Sequence, residues 1–174
     1  MSRLLHIDTS IQTLNSVSRR LSAAIVARFK DSDSGLDVTY RDLAAHPLPH
    51  LTEPVFASFQ SADVSTLTAA QQADAAASAE ALAEFLAADI VVIGVAFYNY
   101  SIPSSLKAWI DRVVVAGKTF NYGATGPIGY AGGKRVVVAI ARGGALCRRH
   151  AVCRAGTCRD LSARHLCSHG HQRP

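Results

Sequence analysis

Cysteine is missing from the first 146 residues of this 174-residue chain, and all four thiols fall after Leu146. Residues 1–146 therefore hold neither a disulfide framework nor a thiolate metal site, and they contain no cysteine nucleophile. Long apolar runs are missing too: none approaches the roughly 20 residues that a membrane span needs. The amino terminus, Met1-Ser2-Arg3-Leu4-Leu5-His6-Ile7-Asp8, enters a strand at once. It lacks the long apolar core and small-residue cleavage site of a secretory signal, so a cytoplasmic protein is expected. The first loop, Thr9 to Ser18, is neither a Gly-x-Gly-x-x-Gly fingerprint nor a Walker-type Gly-Lys-Ser motif, which argues against a dinucleotide cradle and an NTPase. Excess charge of one sign is absent from most of the chain. The formal net charge is +5, yet residues 1–146 carry 12 Lys+Arg against 12 Asp+Glu. What remains is the composition of an ordinary globular α/β protein, 49% hydrophobic and 18% charged, long enough for one domain with a real core.

Apolar periodicity divides this body into alternating strands and helices. Leu4 to Asp8 is a short strand, followed by a hydroxyl-rich loop from Thr9 to Ser18 and a helix from Arg19 to Phe29 with Leu21, Ile25 and Phe29 on one face. Leu36 to Tyr40 alternates as a second strand. Residues 41–67 contain Pro47, Pro49 and Pro54 and no sustained period, and are expected to form a packed excursion. Thr68 and Gln71 fit a capping box opening an Ala-rich helix to about Ala88, its face running through Ala75, Ala79, Leu82, Phe85 and Leu86. Ile90 to Val95 is continuously apolar, as a strand buried on both faces requires. A helix after Pro103 shows Leu106, Trp109, Ile110 and Val113 at helical spacing. A glycine-rich excursion from Gly117 to Gly133 precedes a last buried-type strand, Arg135 to Ile140. This order implies an open parallel sheet with right-handed crossovers and helices on both faces.

Ligands of such sheets sit beyond the carboxyl ends of the strands, where three loops would gather. The first carries Ser10, Ser16 and Ser18 just before a helix, a setting for a single phosphate, although N-capping alone accounts for these serines. The second, Phe97-Tyr98-Asn99-Tyr100, offers aromatic rings and an amide to a flat, heteroatom-rich ring system, or packs under a loop. The third, Ala141-Arg142-Gly143-Gly144, has glycines that let backbone amides come close to a ligand, and on its own is an ordinary turn. Together they describe a site for a mononucleotide with a large planar base.

At these residues the chain resembles the FMN-dependent NADH azoreductases, also called NADH:quinone oxidoreductases, of the flavodoxin-like fold. The resemblance lies in Ser10 with Ser16-Val17-Ser18, the Arg41–Pro49 stretch, Phe97 to Pro103, Leu106-Lys107, Ala116 to Tyr122, Gly126 to Gly129, and Arg142-Gly143-Gly144. It implies that Ser10, Ser16, Val17 and Ser18 bind the FMN phosphate, with one FMN per subunit. Phe97, Tyr98, Asn99 and Tyr100 would lie along the isoalloxazine ring, and Ala141, Arg142, Gly143 and Gly144 would meet its polar edge. The family commonly has a serine where this chain has Ala141. Phe120 and Tyr122 would face a quinone or azo substrate. The resemblance further implies a homodimer with the active site at the subunit boundary. It also implies ping-pong transfer of two electrons from NADH through flavin N5 to the acceptor, with no catalytic side chain required. A flavodoxin-like electron carrier is the alternative, although the two long excursions would serve an enzyme as substrate walls.

The resemblance covers residues 1–146 and ends there. Residues 147–174 hold six Arg, one acid and four of the seven His, with Leu161 and Leu166 the only large aliphatics after Val152. The family's fifth strand and last helix are not legible in them. A reading-frame shift near codon 145 is the favoured expectation for this segment, since one change of frame alters composition and family match together. A zinc module on Cys147, His150, Cys153 and Cys158 lacks paired Cys-x-x-Cys knuckles. A nucleic-acid tail would want aromatics interleaved with its Arg residues, and none are there. An inactive homologue, or a tail specific to one lineage, completes the alternatives.

Overall fold

A computed structural model of the chain describes residues 1–60 and 65–143. The expectations placed on Gly144 and on the segment 147–174 lie outside the described residues. Four strands form a parallel sheet: β1 (Arg3–Asp8), β2 (Asp37–Asp42), β3 (Ile90–Ala96) and β6 (Arg135–Ala141), in the order β2-β1-β3-β6. Strand order reverses between β1 and β3, which opens a crevice at their carboxyl ends. Their register pairs Leu4 with Ile90 and Asp8 with Gly94, so β3 runs two residues past the end of β1.

Three longer helices cover the sheet. α1 (Val17–Ser32) lies on one face, where Val26, Ile25 and Phe29 meet Leu4, Val92 and Val137. α3 (Ala69–Ala87) and α4 (Ser104–Val113) lie on the other, packing Leu82, Leu106, Trp109 and Val113 on Leu5, Ile7, Val91 and Val95. The alternation of strand side chains explains the division: even-numbered residues of β1 face α1, and odd-numbered ones face α3 and α4. The capping box of Thr68 and Gln71 is present.

Two expected faces turn out rotated. In α1 the buried line is Ser18, Ser22 and Val26, while Leu21 is exposed. Small hydroxyl residues lie innermost because the helix crosses directly over Gly94. In α3 the buried residues are Ser78, Ala81 and Leu82, and Leu86 is exposed. An alanine-rich helix has little amphipathic contrast, so apolar spacing alone does not fix its rotation. The described part of the excursion over residues 41–67 is packed as expected, burying Leu43, Leu48 and Val55, and it contains a short helix, α2 (Glu53–Ser58). The fully buried Arg112 of α4 clamps it: the guanidinium donates to Pro49 O at 2.7 and 3.1 Å, and pairs with Asp74 of α3 at 2.7 Å. The glycine-rich excursion folds as an antiparallel hairpin of β4 (Phe120–Gly123) and β5 (Gly126–Gly129), which periodicity did not reveal. Among the described residues β6 ends the sheet, and Val136 and Val138 are 53% and 49% exposed on it.

Candidate functional site

The chain leaving β1 is locked to the end of β3 by Thr9. Its hydroxyl donates to Gly94 O at 2.9 Å and accepts from Ala96 N–H at 3.3 Å, while its own N–H also bonds Gly94 O. Ser10 follows, buried, and its hydroxyl lies 3.2 Å from the Tyr98 hydroxyl, which also accepts the Ile11 N–H. The first and second loops therefore meet through side chains 88 residues apart in sequence. Ser16 is the N-cap of α1, accepting the Arg19 N–H, and its hydroxyl is 3.1 Å from that of Ser18. Val17 is the first helical residue, half-exposed, and the N–H groups of Val17 and Ser18 have no carbonyl one turn back to bond. Hydroxyls, free-ended amides and the positive end of a 16-residue helix form a donor set that suits a phosphate monoester.

The aromatic loop is a tight reversal. Tyr98 and Ser101 exchange both backbone hydrogen bonds, at 3.0 and 2.9 Å, and the two residues between them are left-handed, Asn99 at φ 47° and Tyr100 at φ 65°. Positive φ at both central positions is the type I′ pattern, for which Asn is well suited and Tyr is not. A left-handed Tyr costs on the order of 1–3 kcal/mol and persists only where its surroundings over-determine it, a trait of ligand-clamping loops. Phe97 and Tyr98 are half-buried, and Asn99 and Tyr100 are exposed. Phe97 N–H bonds Ala141 O at 3.0 Å, which brings the third loop alongside the second. Ala141 is half-buried, and Arg142 and Gly143 are exposed. Phe120 and Tyr122 lie on one side of β4 with ring centroids 5.4 Å apart, edge to face, and Tyr122 is 76% exposed.

Beneath the serine loop lies an ionic network that composition did not reveal. Asp8 and Asp42 end adjacent strands in direct register. Arg19 answers both, with Asp42 held bidentate at 2.6 and 2.8 Å and Asp8 at 3.7 Å. The Arg19 hydrogen bonds hold the Asp42 carboxyl down at about 2. Burial pushes Asp8 up, but His6 at 3.6 Å and the Ser22 and Tyr40 hydroxyls outweigh it, and the carboxyl ends below its ordinary value. Burial of its hydroxyl and the Asp8 carboxylate push the Tyr40 phenol up to about 12. Two clues were available in the sequence. A carboxylate at the end of each of two neighbouring strands needs a cation, and Arg19 sits in the first turn of a helix, where the dipole disfavours a positive charge unless an acid is near.

A model of the flavodoxin-like fold family matches residues 2–152. "FMN-dependent NADH:quinone oxidoreductase 2" of Bradyrhizobium diazoefficiens is 57% identical over 142 residues, covering 82% of this chain and 69% of that protein. The chain belongs to the FMN-dependent NADH:quinone oxidoreductase and azoreductase family. Solved structures of the family agree with the fold. An azoreductase from Bacillus anthracis str. Sterne is 31% identical with a TM-score of 0.75, over 84% of this chain and 71% of that one. An FMN-dependent NADH-azoreductase from Bacillus anthracis str. Ames Ancestor, in complex with FMN, is 25% identical with a TM-score of 0.74, over 86% and 73%. The family membership and flavodoxin-like class expected from the sequence are thereby borne out. Among the described residues, no helix is long and apolar enough to cross a membrane.

Proposed function

We propose that the protein is an FMN-dependent oxidoreductase that moves two electrons from NADH to a quinone or an aromatic azo compound, working in the cytoplasm where NADH is held. One observation carries the reading: the Ser10–Tyr98 contact joins a phosphate-type donor set and an aromatic turn at the strand ends of one parallel sheet. FMN, when bound, supplies the two-electron redox chemistry. Ser10, Ser16, Val17 and Ser18 would hold its phosphate, the turn from Phe97 to Tyr100 would lie along its ring, and Ala141 to Gly143 would meet the ring's polar edge. Ala141 offers no side-chain hydrogen bond there. Donor and acceptor use the site in turn.

Phe120 and Tyr122 form an aromatic wall for the acceptor, and this wall favours an enzyme over a flavodoxin-like electron carrier, which needs no substrate enclosure. The exposed Tyr122, Ile128 and Tyr130 of the hairpin suit burial against a second copy in a homodimer. Residues 1–146 constitute the FMN-binding domain. The test is reconstitution with FMN followed by NADH oxidation with and without added benzoquinone or azo dye. Acceptor-dependent NADH consumption supports the reading. A flavin-loaded protein that consumes no NADH whatever the acceptor is a carrier, and a protein that takes up no flavin refutes the proposal.

A further inference from the structure

Arg19 follows the serine loop immediately and is the natural candidate for a cation that grips the phosphate. Its hydrogen bonds say otherwise. A guanidinium has five N–H donors. Here Nε–H is shared between Gln12 O at 3.0 Å and Ser10 O at 3.3 Å. Nη1 donates to Asp42 Oδ2 at 2.6 Å and Tyr40 Oη at 3.1 Å, and Nη2 to Ser10 O at 2.8 Å and Asp42 Oδ1 at 2.8 Å. Every donor is engaged by the protein itself. The charge is likewise answered, since Asp8 Oδ2 lies 3.7 Å from Nη1 in addition to the bidentate Asp42. The remaining oxygen contacts of Asp42 are the N–H groups of Ala44 and Ala45, at 3.0 and 3.1 Å, which root the carboxylate at the start of the excursion.

We infer that Arg19 is a positioning residue: it fixes the backbone of the phosphate loop by holding the Ser10 and Gln12 carbonyls, with Asp42 as its anchor, and it is not a phosphate ligand. The inference rests on the FMN reading and deepens it. Two acceptors two residues apart, clamped by one planar fork, set the curvature of the loop and turn those carbonyls inward toward the guanidinium. The serine loop then offers the dianion hydroxyl and amide donors, and Arg19 beside it is neutralised by two carboxylates.

Asp42→Asn separates the alternatives by sign. Its amide presents a donor where Oδ accepted from a second guanidinium nitrogen, so the fork is released while Arg19 keeps its charge. As a positioning device, the variant weakens FMN binding by about tenfold, as expected for loss of one charge-assisted hydrogen bond, and leaves riboflavin, which has no phosphate, within about twofold. Arg19→Lys keeps the charge but not the fork and behaves the same way. If Arg19 were a phosphate ligand, Asp42→Asn would free it and tighten FMN, and Arg19→Lys would retain affinity; either result overturns the inference. Both affinities are read by quenching of flavin fluorescence on the full chain. Should a variant fail to fold, the unmodified protein supplies the test: the FMN-to-riboflavin affinity ratio stays within about twofold from about 0.1 to 1 M salt, where a direct ion pair is screened. A ratio that collapses with salt overturns the inference. A protein that binds riboflavin and FMN equally tightly, or neither, removes the phosphate site itself and fails the cofactor reading instead.

Discussion

Replacing Gly94 with Ala tests whether the approach of α1 to β3 sets the shape of the site. A Cβ built on Gly94 lies 2.6 Å from Asp8 Oδ1, 2.8 Å from Ser22 Oγ and 3.1 Å from Ser18 O. All three are tighter than ordinary van der Waals contact, and the first two atoms are bonded to each other at 2.8 Å. Neither side chain yields freely, because Asp8 also accepts from Tyr40 and the one O–H of Ser22 is shared between Asp8 and the Arg19 carbonyl. Ser18 O is helix backbone. The methyl therefore either breaks the Asp8–Ser22 bond or lifts the start of α1, which carries Ser16 and Ser18. Overpacking of this kind costs about 1–3 kcal/mol. For a chain of this size each kcal/mol lowers Tm by about 2–4 °C, so a drop of roughly 4–8 °C is expected for a cost near 2 kcal/mol. Thermal melting by circular dichroism reads the first effect, and a flavin titration reads the second, a loss of FMN affinity larger than that for riboflavin. A variant with unchanged Tm and unchanged FMN affinity would show that the contact is loose in solution and refute the reasoning.

Arg112→Met should destabilise by about 3–5 kcal/mol, since it strands Asp74 and the Pro49 carbonyl without their partner; urea unfolding would show a lower midpoint at unchanged slope. The pH response of Asp42 has a definite sign. Its folded pKa of about 2 is below its ordinary 3.8, so the stabilisation is complete above the unfolded value and disappears as pH falls from about 4 to about 2. After allowance for solvent screening this amounts to roughly 1–2 kcal/mol, and Asp42→Asn should lack that part of the acid sensitivity in denaturation midpoints compared at about pH 5 and pH 2.5. Val136→Lys with Val138→Thr should reduce self-association measured by light scattering while changing stability by less than about 1 kcal/mol, because both side chains are half-exposed on the last described strand of the sheet.

Much of this was legible before any coordinates. The continuous apolar run from Ile90 to Val95 reads as a strand covered on both sides, and the capping box at Thr68 and Gln71 names its helix start without help from the fold. The candidate site was legible as three loops at one edge because parallel topology sends every strand end the same way. The hairpin of β4 and β5 was hidden because four-residue strands rich in glycine carry no period. The rotation of α1 was hidden because the residue that sets it, Gly94, belongs to another element.

By itself the sequence determined the four strands of the sheet and its three longer helices, that they alternate into a parallel sheet, and which loops carry hydroxyls, aromatics and glycines. These properties are local, written in period and capping chemistry within a few residues. Tertiary structure alone decided that Ser10 meets Tyr98, that Asp8 and Asp42 stand side by side, and that Arg19 engages Asp42, the Tyr40 hydroxyl and two loop carbonyls with its whole fork. Such contacts depend on strand register and on how closely a helix approaches a sheet, and a distance between residues dozens of positions apart leaves no local pattern to read.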